Sequence, residues 1–388
     1  MIEYLNISIL PQWTIYLLPV LGFILGIFLA RRRFTRQKKQ FRFSNDYFQG
    51  LNYLLNDEQD KALDIFIQLV ETDWETIDTS LALGAIFRRK GEIDKAIKLH
   101  QNLLARPSLP QEYKGSVLLS LAKDYLQAGW LDRAEGLFKQ VVVYEEYTKE
   151  AQKCLMSLYE QEQEWDKAIN IARRFHSKGD STVAETTAHY YCELSQKVAA
   201  QNDLKEAESL ATQALAIDKN CVRASMLLAD IAITRGRYQK AIRFLRQVEI
   251  QDIQLFPLVV DKLLLCYRNT SNLTKALSYL RNLDQKYQDI SLVGALTELT
   301  QEIFGIEDAL QYLSESVHRK PSLSSLNTLL KLQSPDIDRR ENLLPSVVDA
   351  ITAKNHDYQC KRCGYSANTH VWLCPSCHCW SSMAPKVQ

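Results

Sequence analysis

The sequence predicts an all-α protein, a solenoid of helical hairpins with an apolar N-terminal segment and a small C-terminal metal-binding knob. Three observations predict it. An alanine-centred tetrapeptide returns about every 34 residues along most of the chain. An uncharged stretch at residues 7–30 runs directly into a basic block. Two Cys-x-x-Cys pairs stand near the end. Composition agrees with a helical body, since 388 residues contain only 10 prolines and 13 glycines.

The N-terminal stretch, "ISILPQWTIYLLPVLGFILGIFLA", would extend about 36 Å as a helix, enough to cross a hydrocarbon core of about 30 Å. Pro11 and Pro19 are tolerable in such a span, and Trp13 and Tyr16 suit an interface. A cleaved signal peptide would need basic residues ahead of the apolar run and a small-x-small site after it; "MIEYLN" offers only Glu3. Arg31, Arg32, Arg33, Arg36, Lys38, Lys39 and Arg42 follow without an acid among them. The expectation is a single-pass transmembrane anchor over 1–30 and a basic juxtamembrane linker over 31–43. The positive-inside rule then puts the N-terminus outside and the body in the cytoplasm. With 47 basic and 46 acidic residues in all, the body beyond this block is mildly acidic, which disfavours a large nucleic-acid-binding face. Cys154, Cys192, Cys221 and Cys266 are scattered singly and read as buried, reduced thiols of a cytoplasmic protein.

The repeat runs over 44–321. Its themes are "DKAL", "DKAI", "DRAE", "DKAI", "KEAE", "QKAI", "TKAL" and "EDAL", centred on Ala62, Ala96, Ala134, Ala168, Ala207, Ala241, Ala276 and Ala309. That period marks about eight tetratricopeptide units, each a helix–turn–helix. Other positions keep register. Gly50, Gly84, Ala122 and Ala229 supply a small residue twelve before the alanine; Tyr53, Phe87, Tyr125, Tyr159 and Tyr267 an aromatic nine before; Phe66, Phe138, Leu245, Leu280 and Leu313 an apolar residue four after. Gly91, Gly129 and Gly236 occupy the turn. Small residues let paired helices approach, and each unit's apolar stripe is covered by its neighbour. Met156, Ser195, Leu264 and Thr297 replace the small residue in the fourth, fifth, seventh and eighth units, where less regular packing is expected. Residues 322–354, "SLSSLNTLLKLQ" and "RRENLLPSVVDAITAK" around "SPDID", read as a degenerate capping helix pair, irregular at Pro345.

Residues 355–388 form the knob. Cys360 and Cys363 make one pair, and Cys374 and Cys377 a second after ten intervening residues. Two such pairs complete a tetrahedral four-thiolate site. His370, His378 and Cys379 are available as substitutes, but the paired cysteines already fill the coordination. Two disulfides do not suit a reducing cytoplasm, and no thioredoxin-like strand–helix pattern surrounds either pair. Tetrahedral sulfur suits iron and zinc alike. "CKRCGY" and "CPSC" resemble the two knuckles of rubredoxin. The spacer is shorter than in electron-carrying rubredoxins, and His378 stands where those usually have glycine. That favours a docking module over an electron carrier. The short join to the last helix pair over 354–358 predicts that the knob packs against the array and shapes its final surface.

Taken in order, the anchor, basic stretch, repeats and knuckles resemble the lipopolysaccharide assembly protein B family of Gram-negative bacteria. "GLNYLLNDEQDKALDIF", "LGAIFRRKGEIDKAIKLHQ" and "HYYCELS" carry the resemblance along the chain. It implies a regulator of lipid A synthesis at the inner membrane, N-terminus periplasmic. Such a regulator promotes degradation of the UDP-acyl-N-acetylglucosamine deacetylase (LpxC) by an FtsH-type membrane AAA protease, alongside other lipopolysaccharide synthesis or export proteins. It carries the family's metal ligands onto Cys360, Cys363, Cys374 and Cys377, with iron favoured over zinc, and leaves a homo-oligomer open. The residues themselves support an interaction scaffold rather than an enzyme, since no P-loop, HExxH or GxSxG pattern is present. A membrane-tethered, rubredoxin-like redox protein is the alternative. A nucleic-acid-binding zinc ribbon has only Lys361, Arg362 and Lys386 in its favour.

Overall fold

The computed structural model describes residues 77–107, 109–175, 181–287, 290, 292–319 and 358–386, with isolated positions between 49 and 65 and at 328, 329 and 332. The anchor (1–30) and linker (31–43) lie outside the described residues, as does the capping pair (322–354) apart from those three helical positions. Among the described residues no helix is long and apolar enough to cross a membrane. Met1–Leu158 and Tyr159–Gln388 are two compact units.

The first unit holds α1 (Ile77–Arg89), α2 (Ile93–Leu104), α3 (Gln111–Gln127), α4 (Leu131–Val141) and most of α5 (Glu145–Gln161). The second holds α6 (Trp165–Phe175), α7 (Ser181–Ala200), α8 (Leu204–Ile217), α9 (Val222–Thr234), α10 (Tyr238–Gln251), a 3-10 turn (Ile253–Val259), α11 (Val260–Asn269), α12 (Leu273–Lys286), α13 (Val293–Phe304) and α14 (Ile306–Arg319). After these come three short strands, β1 (Tyr358–Cys360), β2 (Ser366–Ala367) and β3 (Met383–Pro385).

The second helix of each pair shows why the alanine recurs. Ala134, Phe138 and Val141 of α4 are fully buried, as are Ala241, Leu245 and Val248 of α10. Ala276, Leu280 and Leu283 of α12 follow the same i, i+4, i+7 stripe. A helix surface places those positions on one face, and a side chain larger than methyl at its first position would meet the partner helix. In α2 the stripe is Ala96, His100 and Leu103, so a histidine takes the place of a core hydrophobe. Its ring lies where a Cβ on Gly84 of α1 would be, 2.3 Å from His100 Nε2. Its Nδ1 faces Asp124 Oδ2, and Asp124 accepts a 2.6 Å bond from Arg88 Nη1. Burial of that carboxylate is tolerated because both of its oxygens are engaged.

The turn between paired helices is equally uniform. Gly91, Gly129 and Gly236 have φ of 79°, 77° and 68°. Gln163, Asn202 and Ser271 hold the same left-handed conformation at φ of 56°, 65° and 53° in units that lack the glycine. In each case the following N–H reaches back five residues to close the first helix, as Trp130 N→Tyr125 O at 2.9 Å and Asn272 N→Tyr267 O at 3.1 Å. This is the Schellman closure. The small-residue substitutes are all accommodated: Met156, Ser195, Leu264 and Thr297 are buried. The Ser195 hydroxyl donates to Ala207 O at 2.8 Å and that of Thr297 to Val293 O at 2.7 Å. The two long repeat intervals correspond to the loop around Pro110 and to the 20-residue α7.

Ala134→Leu or Ala241→Leu should overpack its helix pair and lower stability by about 1–3 kcal/mol. Ser271→Gly, relieving a left-handed non-glycine, should raise it by up to about 1 kcal/mol. Thermal midpoints that move together in one direction for the alanine and serine variants would refute this register.

Candidate metal centre

The C-terminal module is a three-stranded antiparallel sheet in the order β2-β1-β3. Gln359 pairs with Ser366 on one side and Ala384 on the other. Two loops carry the cysteines, and they are built alike. Gly364 N donates to Cys360 O at 3.0 Å and His378 N to Cys374 O at 2.9 Å. Cys360 N donates to Tyr365 O at 2.7 Å and Cys374 N to Cys379 O at 3.1 Å. Gly364 has φ 78° and His378 φ 50°. The backbone turn of the first knuckle is thus reproduced in the second with histidine at the left-handed position, one of the few larger residues found there.

These two loops bring four sulfurs together. Among the described residues, the Sγ atoms of Cys360, Cys363, Cys374 and Cys377 all lie within 4.8 Å of one another. Cys360–Cys377 is 3.7 Å and Cys363–Cys374 3.6 Å. Sulfurs about 2.3 Å from a central ion at tetrahedral corners are about 3.8 Å apart, whereas a disulfide needs about 2.05 Å. The spacing fits one metal ion and excludes a pair of cystines. The surroundings fit thiolates too. Burial opposes ionisation of Cys360, but the Ser382 hydroxyl and the amides of Cys363 and Arg362 outweigh it and bring the thiol down to about 6. The Tyr365 amide lowers Cys363. Burial and the neighbouring sulfurs push Cys377 upward, so the full set ionises together only around a cation. His370 instead lies edge-on to Tyr358 and Trp372, and Cys379 accepts a 2.6 Å contact from Arg362 Nη1.

The module does not stand apart from the second unit's helices. Trp380, three residues after Cys377, is its clamp. Its ring stacks on His189 of α7 at 4.6 Å between centroids and 12° between planes. It meets Tyr190 edge-on at 6.2 Å, and the Arg223 guanidinium of α9 lies 5.7 Å above it. The indole N–H donates to Glu160 Oε2 at 3.0 Å, which also accepts from the Tyr190 hydroxyl at 2.9 Å. Arg223 is buried and held by Glu193 at 2.9 Å and Gln196 at 2.5 Å. Ser381 Oγ lies 2.7 Å from His189 Nε2, Lys361 Nζ donates to Gln254 Oε1 at 3.1 Å, and Trp372 packs against the core around Phe256 and Leu263.

The four cysteines expected from spacing are brought together; the residues that seat the module were not anticipated. The short join called for packing against the array, and the contacts described are with α5, α7, α9 and the 3-10 turn. The available signal was the pair Trp372 and Trp380 in a segment with too little chain to bury two indoles.

His189 makes the seat sensitive to acid. Burial, with Arg223 and His370 nearby, lowers its pKa from the ordinary 6.5 to about 3. A folded pKa below the unfolded one means the stabilisation is complete above about pH 6.5 and fades as pH falls toward 3. The loss is about 1.4 kcal/mol per pH unit within that window. Tryptophan fluorescence should report the module loosening between pH 6 and 4, and His189→Phe should flatten that transition. An identical acid profile in the variant would contradict the assignment. Trp380→Ala should lower the thermal midpoint and leave helix content unchanged; a midpoint equal to wild type would remove Trp380 from the clamp.

Known proteins place these features. The profile described as "Rubredoxin metal binding domain" matches residues 358–385, and tetratricopeptide repeat profiles match 79–112 and 198–252. Lipopolysaccharide assembly protein B of Escherichia coli (strain K12) is 32% identical over 376 residues, covering 95% of this chain and 96% of that one. The protein of the same name from Haemophilus influenzae is 30% identical over 386 residues, covering 96% and 97%. Identity at that level over nearly the whole length of both chains establishes descent, and the chain belongs to the lipopolysaccharide assembly protein B family.

Proposed function

We propose that this protein is a membrane-tethered adaptor in lipopolysaccharide assembly, acting by binding rather than catalysis. The observation that carries the reading is the full-length match to proteins named for lipopolysaccharide assembly. Stacked helix pairs of this kind offer extended surfaces for partners. In this reading residues 7–30 cross the inner membrane with the N-terminus periplasmic, and Arg31 to Arg42 hold the body at the cytoplasmic face. The adaptor brings the lipid A pathway deacetylase to an FtsH-type membrane protease. Confinement to the membrane raises the effective concentration of the two reactants for one another.

Cys360, Cys363, Cys374 and Cys377 are the metal ligands in this proposal, holding iron or zinc. The bound ion supplies a cross-link among four thiolates, whose binding free energy is also folding free energy. The residues that act on the outside are those of the seat. Trp380, Ser381 and Lys361 fix the module across α5, α7, α9 and the 3-10 turn, so that module and repeats present one joint surface.

Two experiments test the reading. Cells lacking the protein should accumulate the deacetylase, and a version without residues 1–30 should fail to restore its turnover; restoration at ordinary expression would show that tethering is dispensable. Protein loaded with zinc should restore turnover as well as protein loaded with iron. Activity confined to the iron form would favour the redox alternative.

A further inference from the structure

A second built site lies apart from the thiolate cluster, where α6, α7 and α8 meet. A cavity of about 270 Å³ opens there, walled by Ala172, Ala216 and Ile217 and bordered by Arg173, Tyr191 and Gln213. Its lining is mainly apolar, and among the described residues no carboxylate contributes to it. The Thr187 hydroxyl at its edge is turned back onto Val183 O at 2.6 Å.

The three polar groups at the border, the exposed Arg173, the buried Tyr191 and the half-buried Gln213, each keep donor hydrogens that no acceptor among the described residues takes. Arg173 Nη2 donates to the Tyr191 hydroxyl, and the guanidinium also lies 5.8 Å from that ring. Four arginines of this unit face acids: Arg223 faces Glu193, Arg235 faces Glu208, Arg268 faces Glu298, and Arg319 faces Asp284, whereas Arg246 and Arg281, like Arg173, lie over a tyrosine ring. Arg173 faces none among the described residues. The Tyr191 side chain is almost wholly buried, and its oxygen is occupied as an acceptor. Its own hydrogen has no acceptor among the described residues and is available to a ligand. The Gln213 amide is also free of protein partners there. A cation, a buried hydroxyl donor and an amide thus converge on an apolar hollow, an arrangement complementary to an anion attached directly to an apolar group.

We infer that the cavity receives the carboxyl-terminal residue of an extended peptide. An apolar side chain would lie against Ala172, Ala216 and Ile217, and the terminal carboxylate would take hydrogen bonds from Arg173 and Tyr191. A C-terminal residue is the peptide unit that joins both chemistries on one Cα. One cation matches a monoanionic carboxylate better than a phosphate dianion. The volume lies below the roughly 300–1,000 Å³ that encloses a whole small ligand, so the hollow suits one anchoring residue of a longer chain rather than a fatty acyl chain. The inference stands independently of the lipopolysaccharide reading, since it rests on no partner's identity.

The test uses the full-length protein in detergent and a fluorescein-labelled pentapeptide ending in leucine, followed by fluorescence anisotropy. Saturable binding is expected for the free acid, with a loss of about tenfold or more for the C-terminal amide and for Arg173→Gln. Tyr191→Phe, which keeps the buried ring, should weaken the acid and leave the amide's residual binding unchanged. Equal binding of acid and amide, indifference to both substitutions, or no saturation at millimolar peptide would overturn the proposal. Octanoate displacing the peptide at lower concentration than N-acetyl-leucine would reassign the cavity to an acyl chain and overturn it as well.

Discussion

Neither a single helix pair nor a 29-residue metal knuckle can bury its own apolar surface, and the architecture follows from that constraint. In the helices the stripe beginning at each repeat alanine is covered by the adjoining helices. In the knuckle the buried cluster is three residues, Cys360, Cys374 and Met383, with a few half-buried neighbours. Such a core does not hold a fold together. Two devices supply the remainder. One is the convergence of four sulfurs at metal-ligand spacing; the other is the transfer of Trp372 and Trp380 onto the second unit's helices.

The seat is specific because it is polar as well as aromatic. Apolar contact alone would let a small module slide across a helical face. Trp380 instead has its N–H directed at Glu160, its ring against His189 and a cation above it. Each of those partners is fixed in turn: Glu160 by the Tyr190 hydroxyl, Arg223 by Glu193 and Gln196, His189 by Ser381. Removing one member leaves the others buried with unmet hydrogen-bonding capacity, which is costlier than the bond itself. The same logic operates in the first unit, where His100 occupies a core position through Asp124, Arg88 and the bare Cα of Gly84.

Much of this was legible in the sequence because it is periodic. The alanines at Ala96, Ala134, Ala168, Ala207, Ala241, Ala276 and Ala309 are all fully buried, as a close helix contact requires. The Cys-x-x-Cys spacing announced the sulfur cluster for the same reason: two ligands on one turn reach one point. What escaped was non-periodic. Gln163, Asn202 and Ser271 hold the glycine's backbone conformation without its sequence mark. His100 stands where other units carry an apolar residue, and nothing beside it in the sequence records Gly84 and Asp124 around it. Trp380 and His189 are separated by nearly half the chain, and no local pattern records a contact between them.

The central claim is that the metal knuckle and the helices beneath it form one structural unit. Hydrogen–deuterium exchange on the full-length protein, with and without metal, tests it most directly. On removal of the metal the account predicts lost protection in residues 358–386 and also in α7 and α9 around His189 and Arg223, with α1 to α4 unchanged. Loss confined to residues 358–386, with α7 and α9 as protected as before, would contradict it.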